Sequence, residues 1–215
     1  MEIKKLSSLL FILLNINFLT MTRKSSINGS SYLNNVRYNS LKHNGLLKFN
    51  DLTIKETLKS NGTIKGKDLT CKNLQSNGSL CVNKLEAKNI KHNGSFKAEN
   101  IKVEDTLKVN GKTHITNGKL NNVEVKTTKA TFINSKIKGD IFIQKSTSSW
   151  SFCGFRFNNW TLFNFGSEKV EKNILELKDN TIVMGDIKFE ENGEIHLFDT
   201  SEIKGKVVNA QVIQK

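Results

Sequence analysis

The dipeptide Asn-Gly recurs at Asn44-Gly45, Asn61-Gly62, Asn77-Gly78, Asn93-Gly94 and Asn110-Gly111, in steps of 17, 16, 16 and 17 residues. An aliphatic side chain stands three residues before each Asn: Leu41, Leu58, Leu74, Ile90 and Leu107. Two more anchors follow the first in each copy, six and eleven residues on. They are Leu47, Ile64, Leu80, Phe96 and Thr113, then Leu52, Leu69, Leu85, Ile101 and Gly118. Of these 15 positions only Thr113 and Gly118 are not apolar, in a chain that is 37% hydrophobic. A period this regular marks a repeat architecture.

Most second and third anchors have a small or apolar residue two positions later, as at Phe49, Val82, Ala98 and Ile115, or Ile54, Cys71, Ala87 and Val103. A spacing of two puts both side chains on one face of a strand. Helical spacing is absent. Three short strands per copy, joined by corners, predict an all-β, three-sided β-helix (β-solenoid) with rungs of 16–17 residues. Asn-Gly is the corner, because Gly takes positive φ without steric cost and Asn tolerates it. Stacked corners would also align the Asn amides in a ladder. Rungs about 4.8 Å apart need only a thin apolar core, which explains how a chain of mean hydropathy −0.40 can fold at all.

The pattern loosens after Val125 and resumes with Leu175, Leu177, Ile182, Met184, Ile187, Phe189, Ile195, Leu197, Ile203, Val207 and Val212, with corners expected at Gly185, Gly193 and Gly205. The expected organisation is a leader at 1–24, a polar linker at 25–40, and solenoid repeats at 41–145. An aromatic-rich insertion follows at 146–172, then C-terminal rungs at 173–215. Lys4 and Lys5 precede an uncharged, mostly apolar run, Leu6 to Thr22. That is the pattern of a secretory signal, or of an uncleaved anchor at the short limit of a bilayer span. Export would permit disulfides, but Cys71, Cys81 and Cys153 show no metal spacing. The register points Cys71 inward and Cys81 outward, so those two are not expected to pair; three unlinked thiols are expected, with a Cys81 to Cys153 bridge as the alternative.

Three features could carry function. The insertion holds Trp150, Phe152, Phe155, Phe157, Trp160, Phe163 and Phe165, either a flap on the stack or a sticky contact for a partner. Lysines form outward columns, Lys42, Lys59, Lys91 and Lys108, then Lys48, Lys65 and Lys97, interrupted by Gln75 and Cys81. The net charge of +13 is nearly all Lys, with Arg only at 23, 37 and 156. Designed phosphate-binding faces use more Arg, so nucleic acid is not the expected partner. For catalysis there is little. His43 and His92 take equivalent corner positions, with Ser60 and Ser76 between. The stacked Asp51 and Asp68 lack a convergent third group. No cofactor, metal or small-molecule substrate is implied. Asn-Gly-Ser/Thr at Asn28, Asn61, Asn77 and Asn93 matches a glycosylation sequon, yet corner chemistry accounts for the last three.

The anchors, the rung length and the stretch Ile182 to Val208, with its apolar-x-Gly steps, resemble the bactofilins. These are polymer-forming bacterial scaffold proteins. The resemblance implies a non-enzymatic protein that assembles end to end without nucleotide at a membrane. The leader and the aromatic insertion depart from that family. The expectation is a self-assembling structural solenoid of a bacterial cell envelope, exported or membrane-associated. The alternative is an exported adhesin or binding protein that uses the aromatic loop and the lysine ridge for a glycan, anionic lipid or protein partner.

Overall fold

The computed structural model describes residues 20–146 and 172–215, and every regular element in them is a strand. Residues 1–19 of the expected leader lie outside this range, and its remaining residues, from Thr20, fall in β1 below. β1 (Thr20–Asn28) and β2 (Ser31–Leu33) are followed by β3 (Val36–Asn110), a single strand of 75 residues. So long a strand is a winding one. It turns each Asn-Gly corner without leaving the ladder, because Gly45, Gly62, Gly78 and Gly94 take φ of 116°, 123°, 115° and 121°; Gly111, just past its end, takes 137°. Beyond it the turns resolve into three strands each. One turn is β4 (Thr113–Thr116), β5 (Gly118–Leu120) and β6 (Asn122–Lys126); the next is β7 (Lys129–Ile133), β8 (Lys136–Ile137) and β9 (Ile141–Gln144). After the insertion come β10 (Asn173–Lys178), β11 (Ile182–Val183), β12 (Ile187–Leu197), β13 (Glu202–Ile203) and β14 (Val207–Gln214).

Every pairing is parallel, and the coils form a β-solenoid of about 10 turns. β10 pairs with β7 on one side and β12 on the other, so the ladder continues across the insertion. Each face is one column of anchors. The first runs Leu41, Leu58, Leu74, Ile90, Leu107, Val123, Ile141 and Ile187; the second and third begin at Leu47 and Leu52. All the apolar anchors from Leu41 to Leu107 are at most 2% exposed. Burying one such side chain contributes about 1.5–3 kcal/mol.

The Asn ladder lies along the first corner. Asn44, Asn61, Asn77 and Asn93 each donate Nδ2–H to the Oδ1 of the Asn one rung below, at 2.8, 3.2, 2.8 and 2.7 Å, beginning on Asn28. Asn110 and Gly111 turn the same corner one rung on, where Gly111 N–H donates to the Lys126 carbonyl. Because Nδ2 of Asn61, Asn77 and Asn93 is engaged, these residues serve the corner.

Three local findings differ from the sequence reading. Residues 25–40, expected as a polar linker, form the first rung. Ser25 to Asn28 pair with Leu41 to Asn44, Ser31 to Leu33 pair with Leu47 to Phe49, and Tyr38 is buried. Polar residues at the anchor positions Ser25 and Ser31 hide this turn from an apolar search. The signal was Asn28-Gly29, 16 residues before Asn44-Gly45.

Rung length also grows after β6, before Ile195 and Val212 return to a 17-residue step. Asp140 N–H donates to Asn122 Oδ1 across 18 residues, and Lys206 N–H to Asp186 Oδ1 across 20. A register shift between Lys188 and Gly193 places the surplus at the corner above the insertion.

Finally, the C-terminal glycines are not left-handed corners. Positive φ there belongs to Asn117, Asn134, Asp179, Asn180, Asp199 and Asn209. Gly193 lies in β12, where a Cβ would stand 2.2 Å from the Phe189 ring, so its missing side chain makes room for that phenyl. Gly185 and Gly205 sit at a corner but stack backbone on backbone: a Cβ on Gly205 would meet the Gly185 carbonyl at 2.1 Å.

The third face changes chemistry along its length. After Ile101 its anchors become Gly118, Ser135, Thr181 and Ser201. Gly118 N–H donates to Ser135 Oγ at 2.9 Å, Ser135 N–H to Thr181 Oγ1 at 3.2 Å, and Thr181 N–H to Ser201 Oγ at 3.2 Å. A hydroxyl ladder therefore satisfies the buried backbone N–H groups there.

Candidate functional site

The last described rung, β13 and β14, has a neighbour on one side only: β13 pairs with β11 and β14 with β12. Its inward positions are consequently open. Val212, which stacks on the buried Ile195, is 44% exposed, and Ile203, Val207 and Ala210 are only partly covered. Val208 beside them is 41% exposed. This end therefore combines apolar side chains with a row of backbone donors and acceptors. That combination is the template that edge strands offer to another chain.

A second feature lies where the insertion leaves the stack. On the outward side of the second face, Thr131 and Glu176 occupy adjacent rungs and are both buried, with His114 one rung below and His196 one rung above. Thr131 Oγ1–H donates to Glu176 Oε2 at 3.1 Å. Lys129 and Lys178 reach the same carboxylate at 2.9 and 3.2 Å, and Lys178 Nζ also stands 4.5 Å over the Phe198 ring. Burial alone would raise the Glu176 pKa, but the hydrogen bonds from Lys129, Lys178 and Thr131 hold it below the usual carboxylate range.

The stem of the insertion is tied by ion pairs, Lys145 with Glu191 and Lys172 with Glu194, both at 2.8 Å. Asn173 Nδ2–H adds a bond to the Gln144 carbonyl at 3.3 Å. With its acid satisfied and its lysines paired, this cluster clamps the root of the insertion. Sequence reasoning missed it because Thr131 and Glu176 are 45 residues apart.

The third feature is internal. His43, Ser60, Ser76 and His92, at equivalent corner positions, form a buried column on the inner side of the first corner. His92 Nε2 lies 3.1 Å from the Ser95 carbonyl, which can only accept; Nε2 therefore carries the proton, and the neutral ring takes a bond at Nδ1 from Ser76 Oγ–H at 2.7 Å. His43 Nε2 is 2.8 Å from Ser31 Oγ, while His43 Nδ1 and Ser60 Oγ have no partner among the described residues. Burial lowers both imidazole pKa values, opposed at His92 by backbone hydrogen bonds.

The unfolded rings titrate near about 6.5. The folded state thus disfavours protons that the unfolded chain accepts, and stability is full above that pH and lost as pH falls through the lowered folded values. Thermal unfolding at about pH 7.5 and about pH 5.5 should show a lower melting temperature at the acid value. The variant carrying His43→Gln and His92→Gln should show a smaller drop. A wild-type melting temperature unchanged between the two would contradict this account.

The remaining sequence candidates are placed as follows. The lysines of both columns are exposed. Cys71 points inward, where burial pushes its thiol up to about 12, and Cys81 points outward, half-buried between Lys65 and Lys97. Asp51 and Asp68 are exposed near the second corner, with no third acid beside them among the described residues. Trp150, Phe152, Cys153, Phe155, Phe157, Trp160, Phe163 and Phe165 lie outside the described residues. Compared with known proteins, the chain matches no family model, no curated protein and no solved structure, so what it does has to be argued from its own geometry.

Proposed function

We propose that this chain is a non-enzymatic structural solenoid that joins end to end into a scaffold, bactofilin-like in kind, in or at a bacterial cell envelope. The observation that carries this reading is the open rung β13–β14, with Val212 and Val208 exposed beside a backbone edge that has one neighbour. A parallel stack has two different ends, so joining them is a head-to-tail contact. Head-to-tail contacts that do not close into a ring give filaments. Among the described residues, Ile27, Leu33 and Val36 of the first rung are likewise only partly covered. The satisfied, clamped polar cluster around Glu176 is what a structural role asks of such groups, whereas a general acid or base needs a pKa near its operating pH.

The test is negative-stain microscopy and sedimentation of the full chain across concentration, beside Val212→Asp. A carboxylate at that position should reduce end-to-end assemblies at least about tenfold, because it must be desolvated at each joint. Circular dichroism of Val212→Asp should match wild type, since the residue is already half exposed. A wild-type monomer at every concentration would remove the scaffold reading.

A further inference from the structure

Charge on the N-terminal half is sorted between its sides. The segments 41–49, 58–66, 74–82 and 90–98 run from the first face around the Asn-Gly corner onto the second. Together they hold six lysines and no Asp or Glu. The intervening segments 50–57, 67–73, 83–89 and 99–106 hold seven acids. The six lysines, Lys42, Lys48, Lys59, Lys65, Lys91 and Lys97, are exposed, and among the described residues none forms an ion pair. Across the solenoid Lys72, Lys84 and Lys102 do pair, with Glu56, Glu86 and Glu104 at 3.0, 3.3 and 3.2 Å. Unpaired like charges on adjacent rungs repel each other, so this arrangement costs stability unless an anion meets it.

Between the two lysine columns lie the Asn ladder and the exposed hydroxyls of Ser79 and Ser95. Each Asn amide has two N–H donors, and the ladder uses one. The edge is therefore a strip of cations bordering a row of amides and, on three of its four rungs, a hydroxyl (Thr63, Ser79, Ser95), repeating at about 4.8 Å.

We propose that this edge binds an extended anionic polysaccharide lying parallel to the solenoid axis, with one acidic sugar to a rung. The rung repeat is close to the length of one ring in an extended sugar chain, and amide and hydroxyl groups match sugar hydroxyls. The rung of Gln75 and Cys81 offers no cation, so the strip is two charged rungs, a neutral one, then a charged one.

Other polyanions fit less well. Duplex nucleic acid spaces its charges about 3.4 Å apart along each strand. Single strands bind where bases can stack on aromatic rings, yet Phe49 and Phe96, the aromatics of segments 41–106, are buried. An anionic membrane favours apolar side chains beside the lysines, and among the described residues the exposed large hydrophobics, Tyr32, Met184, Val208 and Val212, all lie outside those segments.

The experiment is titration of the full chain with polygalacturonate at low salt, with neutral dextran as the blank. Two variants each remove three edge charges: Lys42→Gln with Lys59→Gln and Lys91→Gln, and Lys48→Gln with Lys65→Gln and Lys97→Gln. A control, Lys72→Gln with Lys84→Gln and Lys102→Gln, lowers the net charge equally. Each edge variant should weaken binding at least about tenfold and the control less than about twofold. All three should stay folded, since the positions are exposed, and the edge variants should melt no lower than wild type, because they relieve like-charge repulsion. Equal weakening in edge and control variants would overturn the proposal, because net charge alone would then suffice. So would absence of binding at low salt, or tighter binding to duplex DNA or to anionic phospholipid vesicles at matched charge.

Discussion

Leu80→Asp is expected to abolish cooperative folding of the rungs around it. Leu80 is 1% exposed on the second face, and the Asn61–Asn77–Asn93 ladder fixes Ile64 below it and Phe96 above. Truncating a buried Leu costs about 2–5 kcal/mol. A carboxyl group in its place must also enter a site with no donor to meet it, either charged, at several kcal/mol, or neutralised by a raised pKa. The sum is comparable to the whole stability of an ordinary domain, about 5–15 kcal/mol. Since each rung touches only its neighbours, the damage should begin locally. Amide exchange should accelerate first between residues 62 and 98, and the melting transition should broaden or vanish. Ser79→Asp, one residue away and exposed, should stay within about 0.5 kcal/mol of wild type. If Leu80→Asp melts like wild type, the inward register assigned to this face is wrong.

The second large effect separates two reasons for glycine at the corner. At Gly94, φ is +121° and an added Cβ would lie 2.0 Å from the Gly78 carbonyl oxygen and 2.9 Å from its carbon. Both obstacles are backbone of the next rung, which cannot move without parting the ladder. At Gly29, φ is +92° but no atom of the described residues stands within 4 Å of the same Cβ. Gly29→Ala therefore meets only the conformational cost, about 1–3 kcal/mol. Gly94→Ala meets that cost plus overpacking against fixed backbone, about 2–6 kcal/mol together. Chemical denaturation of the two variants should show this ordering, with Gly94→Ala the less stable. Equal losses would mean that φ alone demands glycine and that rung stacking contributes nothing at the corner.

These two sites also mark what could be read without coordinates. Periodicity is a property of the chain itself: Asn-Gly every 16–17 residues, with anchors six and eleven residues on, suffices to predict a three-sided solenoid, its inward residues and its Asn ladder. One residue type, repeated in phase, has one place to go when rungs stack in parallel. The reading failed where that phase is kept by other chemistry. The first rung has serines at two anchors, and hydroxyls replace aliphatic anchors on the third face after Ile101 because they cap backbone N–H groups there. Gly193 reads as a corner in sequence, but the Phe189 ring needs its empty space.

The chain by itself thus determined the repeat, the core and the corner, because each depends on residues within one or two rungs. Tertiary structure decided the rest. Stacking alone brought Thr131 to Glu176 across the insertion, and it decided that His43 and His92, whose equivalent corner positions the register shows, are buried. It left Val212 open at the last described rung, and it decided that the six lysines of the columns legible in the register form no ion pair among the described residues. Those relations run between rungs and between faces. A linear sequence carries no term for them until the coil has closed.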